Sequence, residues 1–240
     1  MTDAEPLSQQ LRATTSVIHR DAERTPFMRV FFRAELPRDA YTEWLRRQWF
    51  IYSALEEEGE ALRDDPVVGR MYAPELLRGE RLESDLDFFS GATWREQTES
   101  SPVTTRYMER IRQVATTWPV GWVAHQWLRY MGNLGGQEIL RRLVRQAYDV
   151  GEEGMAFHRY PDVADPKAFL GEYHARMDSM PLDEETKARV AEEGGRAFQL
   201  NIDLTEELAH DFDIKPPPGP ASAEYEALSQ SKAPSGSGGG

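Results

Sequence analysis

Cysteine is absent from the 240 residues, which removes disulfides, thiolate metal ligands and cysteine nucleophiles together. Basic charge is short as well: 28 Lys and Arg stand against 41 Asp and Glu, for a formal net charge of −13. That balance disfavours binding to phosphate backbones and anionic membranes, so no nucleic-acid partner is expected. Long apolar runs are also missing. No stretch reaches the roughly 20 apolar residues of a membrane span, and the N-terminus MTDAEPLSQQ lacks the basic patch and apolar run of a secretory signal. The expectation is a cytoplasmic, soluble protein with no integral membrane association.

Strand patterning is scarce too: apolar residues recur at three- and four-residue spacing rather than in alternation. The expected fold class is therefore all-α. Pro37, Pro66, Pro74, Pro102, Pro119, Pro166 and Pro181 mark turns between helices expected at 7–24, 38–63, 74–89, 102–117, 119–148, 166–178 and 183–211. With 40% hydrophobic residues, one helical domain over 1–214 can bury a sizeable core. From Lys215 the chain reads PPPGP and closes on APSGSGGG. Such composition buries too little apolar surface to offset its ordering entropy, so 215–240 is expected to be a disordered tail.

Two segments carry chemistry. Arg12, Ser16, His19 and Glu23 follow one another at spacings of four, three and four, which aligns a polar stripe along one face of the first helix. An imidazole can ligate a metal through one nitrogen while a carboxylate holds the other, and Glu23 suits that second role. A surface His–Glu pair at helical spacing is the plain alternative. The second segment, Leu128 to Gln137, sets Gly132, Gly135 and Gly136 inside a helical pattern, although each glycine costs a helix roughly 0.5–1 kcal/mol relative to alanine. Without Cβ atoms at Gly132 and Gly136, either a flat ligand or another helix can approach the backbone. A kink is expected there.

Together these segments resemble the heme oxygenase family, whose proximal helix carries the iron-ligating histidine and whose distal helix kinks over the heme at a glycine-rich stretch. The resemblance runs in one order over about residues 7–212. It takes in Leu11-Arg12-Ala13-Thr14 through His19 and Glu23, Phe27-Met28-Arg29, Tyr52 to Glu58, Asp85-Leu86, Val123-Ala124-His125 and Arg129-Tyr130 with the glycines. Beyond them come Tyr173, Arg176-Met177 and Phe198-Gln199-Leu200-Asn201.

The resemblance implies a single-domain helical bundle with heme b between the proximal and the kinked distal helix. His19 would be the iron ligand, Glu23 its partner, and Gly132 and Gly136 the platform against the distal face. Arg12, Ser16, Met28, Phe31, Trp127, His174 and Phe198 are the further heme contacts it implies, with Arg129, Gly132 and Asn133 as the catalytic distal group. The family uses heme as both cofactor and substrate and O2 as co-substrate, and an external donor such as ferredoxin or a reductase supplies electrons. The products are biliverdin, carbon monoxide and iron.

The chain departs from the family pattern at the distal site, where Asn133 replaces the usual aspartate. An amide holds water by hydrogen bonds but cannot take up and return a proton. Gly135 replaces a serine. Where the family often has lysine, tyrosine or arginine for the heme propionates, this chain has Ser16, Trp127, Leu170 and His174. Arg12 is kept, and Arg176 and Tyr173 are candidate substitutes. The alternative function is a non-catalytic heme-binding carrier or sensor that has lost efficient turnover. In the wider fold group, thiamin-degrading hydrolases need a cysteine nucleophile and di-iron oxidases need clustered Glu and His on facing helices. His125 is expected to be a packing residue, His158 and His210 to be exposed, Trp44, Trp49, Trp122 and Trp127 to belong mainly to the core, and Glu56, Glu57 and Glu58 to form a solvated face.

Overall fold

Helix starts in this chain are set by their caps. Side chains of Ser101, Asp165 and Asp183 each accept backbone N–H groups two or three residues on, and Pro102 and Pro166 fill first-turn positions where a missing N–H costs nothing. The computed structural model describes residues 5–219. In chain order its helices are α1 (Leu7–Glu23), α2 (Pro26–Phe32), α3 (Arg38–Ala61), α4 (Gly79–Ser90) and α5 (Pro102–Thr117). A run of α6 (Trp122–Gln126), a π turn (Trp127–Met131) and α7 (Gly132–Tyr148) follows, then α8 (Pro166–Asp178) and α9 (Glu184–Asp211). There is no strand among the described residues.

Two differences from the expected helices have local causes. Helix α2 is too short for periodicity to register, and it starts where the Thr25 hydroxyl accepts from Met28 N at 3.4 Å ahead of Pro26. Helix α4 starts at Gly79 rather than at 74, because Pro74–Leu76 forms only a 3₁₀ turn. Its cap comes from a distant residue: the Glu56 carboxylate accepts from Arg78 N at 2.5 Å and from Gly79 N. Glu56 is therefore not part of a solvated face, unlike exposed Glu57.

Helix α3 packs on α4 and α5, while α1 lies along α9 and also touches α8. The approach of α1 to α9 depends on Gly194, where a Cβ would sit 2.7 Å from Leu11 Cδ2. Trp122 and Trp127 are buried in the shared core, and Trp44 and Trp49 are packed against it half-buried.

His158 corrects a second expectation. It is fully buried, stacked on Trp44, with Nε2 3.3 Å from the Tyr41 hydroxyl. Burial, with Arg78 and Arg141 adding to it, pushes its imidazole down to about 3 from 6.5. The native state thus holds this ring neutral while the unfolded chain binds a proton below 6.5, so stability present at neutral pH is lost as pH falls from 6.5 towards 3. At about 1.4 kcal/mol per unit, urea unfolding at pH 5 should show a loss of about 2 kcal/mol from this group. His158→Gln should flatten that slope, and an unchanged slope would refute the assignment.

Of the expected tail, residues 215–219 are described and 220–240 lie outside the described residues. Arg33 Nη2 donates to Pro218 O at 2.8 Å and Arg29 Nη2 to Gly219 O at 3.1 Å, which pins 218–219 against α2. Truncation after Ile214 removes both acceptors. A loss of about 1 kcal/mol lowers Tm by about 2–4 °C in a domain of this size, and an unchanged Tm would show that water replaces the two carbonyls without cost.

Candidate functional site

The polar stripe of α1 stands as its spacing predicts, with Arg12, Ser16 and His19 exposed and Glu23 half-buried. His19 has a side chain 49% exposed, and its Nδ1 lies 3.5 Å from Glu23 Oε1. That separation is too long for a strong hydrogen bond. Partial burial, and then the charge of Arg20, hold the imidazole below its ordinary value, so the ring is neutral and able to ligate a metal. Burial raises the Glu23 carboxyl to about 7 against the opposing pull of Arg24 and Arg20.

Helix α9 links this proximal group to the distal run. His19 meets Phe198 edge-on with ring centroids 5.4 Å apart. Three residues on, and hence on the same face, Asn201 Oδ1 accepts from Arg129 Nη1 at 2.9 Å. Helix α8 makes a second link through His174, whose Nδ1 lies 3.2 Å from Arg12 Nη2 and whose Nε2 lies 3.2 Å from Trp127 Nε1. Indole and guanidinium are donors only, while a neutral imidazole offers one acceptor nitrogen. Burial, and then Arg12, keep His174 below its usual value and therefore neutral. One of its two contacts is therefore unmade as a hydrogen bond, and a carboxylate between Arg12 and His174 would satisfy both groups.

On the distal side, where a bend is expected, a π turn stands directly before Gly132, a device common at functional sites. A Cβ at Gly132 would meet nothing within 4 Å, and one at Gly136 only the Leu140 side chain. Tight helix–helix packing therefore does not explain these glycines. They leave an open backbone shelf that a flat ligand can approach. Around Arg129, buried polar atoms lack partners: its own Nε, Gln48 Nε2, the Tyr107 hydroxyl and Asn133 Oδ1. Arg129 also donates to Gln48 and lies over the Tyr52 ring at 4.9 Å, while the Tyr52 hydroxyl donates to Arg129 O at 2.9 Å. Unsatisfied polar atoms gathered in this way suit ordered water.

Other expected contacts fall elsewhere. Phe31 is buried and stacked on Tyr41, so its ring belongs to the aromatic core, whereas Met28 on α2 is half-buried. Ser16 spends its hydroxyl on Ala13 O. Tyr173 is not a propionate substitute: it is fully buried and donates to Gln126 Oε1 at 3.0 Å. Gln48, Tyr52, Tyr107 and Asn201 join the distal group without any spacing that singles them out.

The remaining histidines are otherwise engaged or remote. His125 is buried against Glu193, 3.0 Å away, and the His210 side chain is 91% exposed. Glu207 and His210 do form a Glu-x-x-His spacing, but Glu207 is occupied by Arg47 and Ser101. Among the described residues no group of three or more His, Asp or Glu side chains could hold a metal ion, and no helix is long and apolar enough to cross a membrane.

A family model described as heme oxygenase matches residues 5–207. Heme oxygenase 1 of Synechocystis is 36% identical over 202 residues, covering 84% of this chain and 84% of that protein. Heme oxygenase 1 of Homo sapiens is 38% identical over 205 residues, covering 84% of this chain and 71% of that protein. The crystal structure of the Synechocystis heme oxygenase-1 in complex with heme superposes with a TM-score of 0.84 at 33% identity, covering 95% of this chain and all of that one. Heme oxygenase from Leptospira interrogans gives 0.81 at 32% identity, covering 85% and 100%.

Proposed function

Because this chain belongs to the heme oxygenase family, we infer that the cleft between α1 and the π turn with α7 is the site at which it binds and degrades heme. It is a heme-degrading enzyme, with heme as ligand and substrate and O2 as co-substrate. The observation that carries the site is the shelf at Gly132, open on the side towards which a Cβ would point.

His19 is the proposed iron ligand, since its neutral ring is half-exposed and backed by Glu23. Phe198 packs on that ring and orients it. Arg12, His174 and Trp127 form the proposed propionate end, where the crowded donors of His174 call for an anion. Ser16 and Met28 line the proximal side. Iron supplies the redox chemistry when heme is bound; the protein contributes position, exclusion of bulk water and proton handling. Gly132 and Gly136 allow close approach of the distal backbone. Arg129, Tyr52, Tyr107, Gln48 and Asn201 hold ordered water beside Asn133, whose amide fixes a water but does not itself exchange protons.

The proposed electron donor is a redox protein such as ferredoxin or a reductase, taken as acidic. A chain of charge −13 repels such a partner unless docking is focused on a basic patch. Arg141, Arg145 and Arg159 supply one, with three guanidiniums sharing the single carboxylate of Glu152. Residues 215–240 take no part in heme binding, so truncation after Ile214 keeps heme affinity within tenfold, about 1.4 kcal/mol.

Heme titration followed by addition of reductant and O2 tests the whole reading. Growth of biliverdin absorption at the expense of the Soret band is expected. A Soret band that persists through repeated reduction would instead identify a carrier.

A further inference from the structure

Away from the heme cleft, α5 and α9 enclose a second constellation. A cavity of about 160 Å³ is lined by Arg110, Trp118, Arg189, Glu192, Glu193 and Arg196. Glu193 is buried and fully engaged: Arg110 donates to it twice, at 2.9 and 2.5 Å, and His125 Nε2 lies 3.0 Å away. Burial alone would raise this carboxyl, but the bonds from His125 and Arg110 outweigh it and hold it at about 2. Glu193 is thus a permanent anion that offsets Arg110.

Two arginines remain. The Arg189 guanidinium carbon lies over the Trp118 ring, 3.9 Å from its centroid, with no carboxylate or carbonyl partner among the described residues. Arg196 reaches Glu193 only at 3.8 Å. A guanidinium stacked on an aromatic face keeps its in-plane donors free for an oxyanion. Counting Glu192, three cations face two anions around one concavity, in a chain that is otherwise strongly acidic. Solvated arginines pairing with Glu193 are the simpler account. It leaves unexplained why two further guanidiniums line the same cavity as a carboxylate that is already satisfied.

We propose that this pocket binds a small multivalent oxyanion of the phosphate type between Arg189 and Arg196, with Trp118 holding the Arg189 guanidinium in place. The cavity is smaller than the roughly 300 Å³ at which drug-sized sites begin, so it encloses no more than the oxyanion itself, and any larger molecule carrying that group would project into solvent.

The test is calorimetric titration of the full chain, free of heme, with inorganic phosphate at ionic strength held constant with chloride. Saturable one-to-one binding with Kd of about 1 mM or tighter is expected, together with a shift of the Trp118 indole resonance. Arg189 is exposed, so Arg189→Gln should fold and weaken binding at least tenfold. Arg112→Gln, which removes an exposed arginine paired with Glu57 outside the pocket, should leave binding unchanged. A parallel titration with phenyl phosphate separates two sources of the ligand: exclusion assigns the pocket to the free ion, and equal affinity assigns it to the phosphate group of a larger molecule. Heat that never saturates, or equal weakening by Arg189→Gln and Arg112→Gln, would overturn the proposal and reduce the pocket to a diffuse positive potential.

Discussion

Replacing His19 by alanine should abolish the histidine-ligated Soret spectrum of the heme complex and nearly all conversion to biliverdin. The expectation rests on the fate of the five histidines. His125 and His158 are fully buried, both nitrogens of His174 face donors on other helices, and His210 lies near the far end of α9 with Asp211 beside it. Of the five, His19 has a neutral ring, partial exposure and the Glu23 carboxyl beside it, without the facing donors that engage His174. Because the side chain is 49% exposed, its removal leaves no sizeable cavity, and the Tm of the heme-free protein should move little. Absorption and resonance Raman spectra of heme-loaded wild type and His19→Ala decide the matter. An unchanged iron–histidine signature in the variant would transfer the ligand role to another residue.

Asn133→Asp should speed the conversion of heme to biliverdin by about tenfold or more, a lower bound set beneath the 10²- to 10⁴-fold that well-placed acid–base groups typically contribute. Asparagine and aspartate are nearly isosteric, so α7 should be undisturbed, while the new carboxyl gains the proton capacity that the amide lacks. The site is ready to receive it. Asn133 Oδ1 is buried with no protein partner, and Arg129 Nε and the Tyr107 hydroxyl nearby are likewise unsatisfied, so water or these donors can stabilise a carboxylate that would be costly if isolated. Single-turnover formation of biliverdin, at matched heme occupancy and with one electron donor, is the measurement. Equal rates would mean that ordered water already delivers protons and that the amide is not limiting.

The sequence by itself determined the helical class, the order of the long helices and the chemistry of the two key segments. Each of these is local: proline and cap residues end or start helices at their own positions, and spacings of three and four fix which side chains share a face. Hence the α1 stripe of Arg12, Ser16, His19 and Glu23 was legible, as was the glycine cost in the distal run. Tertiary structure alone decided which polar groups are buried and with what. Glu56 caps a helix that begins 23 residues later, His158 reaches Tyr41 across 117 residues, and Arg12 meets His174 across 162. No local period encodes such pairings, because they arise only when helices cross and the desolvation of one residue is offset by a partner from another element. For the same reason Gly194 and Gly132, alike in sequence, part ways in the fold: one is filled by Leu11 and holds α1 against α9, while the other stays open where a flat ligand can lie.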